Sequence, residues 1–243
     1  MAEAALWGFA AGSSLLLGAL IALRLRPGRR VVGLLMAFGA GVLISAVAYD
    51  LVEEAFRTAE GSGAVGAGLA AGALAFYLGD RAIAARGGAD RKNTEAGHAS
   101  EAHGAIVLGT VLDGVPEGLV IGLSLIGGGE VSAAVIVAVF MSNLPEAIGA
   151  TRGLERSGFS PGRLYRMWGA ITVLTAVAAA MGYELLADAS GEFVAFIEAF
   201  AGGALLTMVS GTMLPEAVRG GGREVGLLTV LGFAVAFLLV QVG

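Results

Sequence analysis

The sequence predicts an all-α fold, a polytopic membrane bundle of eight transmembrane helices in a 3+2+3 arrangement with inverted repeats. Composition is the first of three observations behind it. Apolar residues make up 56% of the 243 and charged residues 14%, with 40 glycines besides, and the mean hydropathy is +0.81. Soluble domains average about 45–50% apolar, glycine included, and about 25% charged. The excess is also gathered into eight runs close to the roughly 20 residues that a bilayer core about 30 Å thick requires of a helix. Finally, parts of the chain recur in register. The same composition excludes other classes. Disorder needs the opposite balance of hydrophobicity and charge. The lack of cysteine excludes disulfide scaffolds and thiolate chemistry. With 15 basic against 20 acidic residues there is no basic surface for nucleic acid.

The whole chain is read as one transmembrane domain. Its first run, 5–25, is preceded only by Glu3 and followed by Arg24, Arg26, Arg29 and Arg30. That is the flank of a retained span with its N-terminus outside, not of a cleaved leader with a basic start. The next runs are 31–56 and 64–83. A polar stretch, 84–104, holds both histidines, His98 and His103. The runs 105–126, 131–151, 167–187, 193–218 and 225–242 follow. All are apolar around their whole circumference, whereas barrel strands alternate apolar and polar residues. With eight spans, the connections after spans 1, 3, 5 and 7 share one side. They hold fourteen of the 15 basic residues, Arg57 being the exception. Positive charge marks the cytoplasmic side of short loops, so both termini are expected to be extracytoplasmic, in a plasma (inner) membrane.

Two internal repeats set the layout. Residues 38–56 (FGAGVLISAVAYDLVEEAF) match 200–218 (FAGGALLTMVSGTMLPEAV) at an offset of 162, one in span 2 and the other in span 7. Residues 113–118 (DGVPEG) match 142–147 (SNLPEA), in spans 4 and 5. Each pair runs in opposite directions, and inverted repeats around a central pair are a transporter layout. Small-residue helices also resemble one another by composition alone, which weighs on the first match more than on the second.

The central pair carries the chemistry. Asp113 and Glu117 are four residues apart, hence on one face of a helix. Ser142 and Glu146 have the same spacing, with Asn143 three before Glu146. A charged residue at mid-membrane costs about 2.5–3.5 kcal/mol on insertion scales, so the three acids together cost roughly 8–10 kcal/mol. No Lys, Arg or His is expected in the membrane core to neutralise them, since Arg24 and Arg81 stand at the ends of their runs. A divalent cation would, since it serves several carboxylates at once. Pro116 and Pro145 free the carbonyls of Leu112 and Met141, adding backbone oxygen near the acids.

These two motifs resemble the paired His-Asn-x-Pro-Glu-Gly motifs of the ZIP family of divalent-metal transporters. The small-residue runs ending in acids in spans 2 and 7, the eight spans, the outside termini and the histidine-bearing loop fit the same pattern. The resemblance implies a metal site in the transport path, with Glu117 and Glu146 as the motif glutamates and Asn143 as the second-motif Asn. Asp113 and Ser142 stand where the family has histidines, and Gly114 replaces the first Asn. The resemblance implies zinc or iron as the transported substrate. The oxygen-only donor set leans toward manganese, iron(II) or another oxygen-preferring ion, because imidazole is what suits zinc, copper and nickel. Glu216, after Pro215 at the cytoplasmic end of span 7, is an exit ligand in that pattern.

Other polar residues carry two readings each. Asp50, Glu53, Glu54 and Glu198 either attract cations at the outer face or mark the water interface. His98 and His103 either collect released metal or lie idle in a solvated loop, the second being the plainer reading. An intramembrane metal- or aspartate-dependent enzyme is an alternative class. It has one mid-span Asp, no His-Glu-x-x-His and no Gly-x-Ser-x-Gly to support it. A proton or monovalent-ion pathway would use the same carboxylates. The partners expected are the lipid bilayer and divalent metal ions, and no nucleic acid. A homodimer is left open, because no interface motif argues for one.

Overall fold

The computed structural model describes residues 1–59, 63–85, 100–126 and 132–242. Among these residues every regular element is helical. They are α1 (Ala2–Arg24), α2 (Arg29–Ala46), α3 (Glu53–Thr58), α4 (Ala64–Ile83), α5 (Ser100–Leu123), α6 (Ala133–Arg156), α7 (Pro161–Leu186), α8 (Gly191–Met208), α9 (Leu214–Gly221) and α10 (Val225–Val242). A π turn, Val47–Val52, joins α2 to α3 without a break, and another, Val209–Met213, joins α8 to α9. Ser132, Ser160 and Ser190 start α6, α7 and α8 by accepting a backbone N–H three residues on, which satisfies one of the amides a helix start leaves over.

Five segments among the described residues are long and apolar enough to cross a membrane: Ala2–Arg24, Arg29–Thr58, Ala133–Arg156, Pro161–Leu186 and Gly191–Gln241. The last, with 51 residues, would be about 77 Å long if straight. It folds back at Gly222, whose φ of 75° suits glycine.

Close glycine contacts determine how the helices cross. A Cβ on Gly41 would strike the Thr229 carbonyl of α10, one on Gly72 the Phe200 carbonyl of α8, and one on Gly203 the Leu69 carbonyl of α4. Elsewhere, a Cβ on Gly8 would lie 2.8 Å from that of Ala179, and one on Gly18 2.7 Å from the Leu144 carbonyl. Such approach of backbones is what small residues permit between membrane helices. Two helix groups result. In one, α2 packs on α9 and α10, and α4 on α8; in the other, α1 packs on α6 and α7, and α5 on α7. The groups meet where α2 crosses α6 and where α5 passes α8. Between α4 and α5 an apolar groove of about 460 Å³ separates them, lined by Phe76, Leu112, Pro116 and Phe200 among others.

The same contacts give directions. Gly8 meets Ala179 while Gly12 meets Thr172, so α1 and α7 are antiparallel. Gly118 meets Ala178 and Gly122 meets Tyr183, so α5 and α7 are parallel. Gly68 with Phe196 and Gly72 with Phe200 make α4 parallel to α8. Every one of these directions is the one that strict up-and-down alternation of the long helices produces.

The repeat of 38–56 in 200–218 is visible in the backbone. The π turns begin at Val47 and Val209, separated by the same 162 residues as the sequence match. π-helix accounts for well under 1% of residues in proteins, so composition alone does not place it twice in one register. Gly41 and Gly203, equivalent in the repeat, each sit at a close crossing, with α10 and α4 respectively. Exchanging α1 with α7, α2 with α8, α4 with α10 and α5 with α6 carries the packing scheme onto itself.

Within the second group, the buried indole of Trp168 donates to Thr151 Oγ1 at 2.8 Å. Thr151→Val keeps the volume and strands a buried N–H. It is expected to cost about 1–3 kcal/mol, read as a lower thermal midpoint in detergent.

Candidate metal site

Helices α5 and α6 bring the central polar residues together. Asp113, Glu117, Ser142, Asn143 and Glu146 are all buried, Glu117 with 1% of its surface exposed. The four-residue spacing on α5 places Asp113 and Glu117 on one face, and the Ser142–Glu146 spacing does the same on α6. Across the helix boundary, Asn143 Nδ2 donates to Glu117 Oε2 at 2.9 Å. Ser142 Oγ lies 3.1 Å from Glu117 Oε1 and 3.0 Å from the carbonyl of Val139, so its one hydrogen is shared between them. The carboxyl groups of Glu146 and Asp113 lie within electrostatic reach of Glu117. Thr110, one turn before Asp113, has its Oγ1 3.5 Å from Glu146 Oε1.

The prolines act as the backbone requires. Both lie inside their helices, and each removes the N–H that would have served the carbonyl four residues earlier. The carbonyl freed by Pro145, that of Met141, faces α2: a Cβ on Gly39 would come within 2.6 Å of it. Gly39 therefore brings the two helix groups together one turn from the site.

The donors present are carboxylates, a hydroxyl and an amide. Among the described residues, no three His, Asp or Glu side chains are gathered closely enough to form a metal centre. The donor set would have to be completed by Asn143, Ser142 or backbone oxygen.

The remaining sequence-derived candidates lie apart. Glu216 is in the first turn of α9, 3.6 Å from Arg219. Its neighbour Ala217 shares a buried cluster with Ile148, two residues beyond Glu146. Asp50, Glu54 and Glu198 line a separate cavity near the α3 end of the bundle, whereas Glu53 pairs with Arg57. His98 lies outside the described residues. His103 belongs to a stretch where the backbone is already helical, since α5 begins at Ser100.

No family model matches the chain. A curated protein of Arabidopsis thaliana, named "Putative zinc transporter", is 30% identical over 190 residues, covering 77% of this chain. The ZIP-family resemblance is thereby shown. The chain spans only about 30% of the length of that relative.

Against the ZIP motifs, the substitutions of histidine by Asp113 and Ser142 become physically specific. Ser142, where a ligand histidine would stand, turns its hydroxyl toward Glu117. Thr110 and Thr175 escape a reading based on charge, because a neutral hydroxyl carries no insertion penalty to betray it. Thr175 on α7 is buried, and a Cβ on Gly114 would lie 3.4 Å from its hydroxyl oxygen. A side chain at Gly114 would thus begin in ordinary contact with α7.

Proposed function

We propose that the chain carries a divalent metal cation across the plasma (inner) membrane toward the cytoplasm, through a site between α5 and α6. One observation carries this reading: Glu117, with 1% of its surface exposed in the last third of α5, is met from α6 by Ser142 and Asn143, with Glu146 and Asp113 nearby. Several buried carboxylates gathered in one place are costly in lipid, and a divalent cation serves two or more of them at once. Asp113, Glu117, Asn143, Glu146 and Ser142 hold the ion, and Glu216 takes it on release. The eight long helices span the bilayer in a 3+2+3 layout with both termini outside. The relative's name supports zinc as one substrate, while the donor set favours manganese or iron(II) beside it.

The site lies in the α1, α5, α6, α7 group, against α2 and α8 of the other. Sliding of one group over the other exposes the site alternately to the two sides. Gly39, which lets α2 approach the Met141 carbonyl, is where that sliding is most closely constrained.

Metal flux into proteoliposomes tests the reading: divalent metal accumulates with wild type and not with empty vesicles. A second test concerns selectivity. Asp113→His offers imidazole at a ligand position, and zinc is expected to gain on manganese by about tenfold in competition binding. An unchanged ratio removes Asp113 from the ligand set.

A further inference from the structure

A second polar cavity lies away from the central carboxylates. It measures about 610 Å³ and is bounded by the π turn and α3, the start of α8, the last turn of α5 and the start of α6. In the proposed orientation it faces the extracytoplasmic side. Three acids line it: Asp50, Glu54 and Glu198.

Acids at a membrane surface need no ligand, but two features here are not those of a solvated rim. Glu198 has only 8% of its surface exposed, and its Oε2 has no hydrogen-bond partner among the described residues. Asp50 Oδ1 accepts from Ser132 Oγ at 2.8 Å, while its Oδ2 is buried without a partner. A buried carboxylate oxygen left unpaired is costly. Glu54 stands within electrostatic reach of Glu198, so the charge gathered there exceeds one. The guanidinium that also borders the cavity, Arg57, is engaged by Glu53. Asp50 itself sits in a π turn, a rare element found often at functional sites.

We propose that this cavity is a binding site for a hydrated divalent cation, held through its water shell by Glu198, Glu54 and Asp50, which are not gathered closely enough to ligate one bare ion together. Its size argues for hydration. At ~30 Å³ per water, it holds about twenty molecules, far more space than a bare ion fills. Hard divalent cations retain several waters and bind through one or two carboxylates. Shared charge between Glu54 and Glu198 favours a divalent over a monovalent ion. The cavity also bridges the two helix groups: Asp50 and Glu198 belong to one, Ser132 to the other. Occupation that draws Asp50 from Ser132 loosens a tie between them. This staging role rests on the transport reading above; the binding itself does not.

The test uses the full chain in nanodiscs of zwitterionic lipid, with Mn²⁺ as probe and the spin-resonance signal of free Mn²⁺ as readout. In the Glu117→Gln/Glu146→Gln double variant, one Mn²⁺ is still bound, displaced by excess Mg²⁺ and not by the same ionic strength of K⁺. Adding Glu198→Gln or Glu54→Gln weakens that binding at least tenfold. Should Glu198→Gln fail to elute as a single species, the exposed Glu54 position decides. Unchanged affinity after the added substitution overturns the proposal, as does a folded double variant that binds no Mn²⁺, or displacement by K⁺. If transport is the wrong reading and this site is right, wild type shows no flux while its Glu198-dependent Mn²⁺ binding persists.

Discussion

Glu117→Ala and Glu146→Ala each reduce divalent-metal flux into proteoliposomes by about 100-fold or more, without loss of the folded bundle. Removing a hydrogen-bonding partner that only supports a metal ligand already costs 10–100-fold in affinity or activity. A carboxylate that meets the ion directly is placed at or beyond the upper end. The stability readout runs in the opposite direction. Glu117 is buried among helices, and an acid at mid-membrane costs about 2.5–3.5 kcal/mol on insertion scales. Glu117→Gln keeps its volume and can still accept from Asn143, whose Nδ2 lies 2.9 Å from the carboxylate. The glutamine variant should therefore melt no lower than wild type while its flux is lost. A residue kept for packing would behave otherwise, with flux and stability falling together. If metal flux persists in both alanine variants, the site lies elsewhere.

Gly72→Ala unfolds or disperses the bundle, whereas Gly66→Ala on the same helix leaves it intact. The chemical change is identical, and alanine is about 1 kcal/mol the better helix former, so propensity alone predicts that both stabilise. Contacts decide the difference. At Gly66 a Cβ meets nothing within 4 Å. At Gly72 it would overlap the Phe200 carbonyl of α8 and lie 2.9 Å from the Phe200 Cα. Backbone cannot rotate away as a side chain can, so α4 and α8 must separate. Overpacking a well-filled interior costs typically 1–3 kcal/mol, occasionally more, and here the obstacle is main chain. Gly203→Ala, facing the Leu69 carbonyl from α8, should repeat the effect. Thermal unfolding followed by size-exclusion chromatography checks all three. Equal midpoints for Gly66→Ala and Gly72→Ala would mean that α4 and α8 do not pack as described.

The apolar runs determined the helices by themselves, because membrane burial is a property of composition over a window and needs no knowledge of neighbours. The central acids were equally legible: Asp113, Glu117 and Glu146 stand out since charge in a hydrophobic stretch carries a large penalty wherever the helix packs. Helical spacing then placed each pair on one face. What spacing along one helix does not contain is the partner across the boundary. Only the tertiary structure turned Asn143 and Ser142 toward Glu117, set Thr110 beside Glu146, and aimed the Met141 carbonyl at Gly39. The π turns at Val47 and Val209 were likewise out of reach, for a π turn differs from an α turn by one hydrogen-bond step and by no residue type. The outer acids show the limit most plainly. In sequence Asp50, Glu53, Glu54 and Glu198 read alike, yet folding left Glu53 paired with Arg57 in water and buried an oxygen of Glu198 without a partner. Burial of a polar atom is a relation between distant segments, and distance in space is what a linear chain does not record.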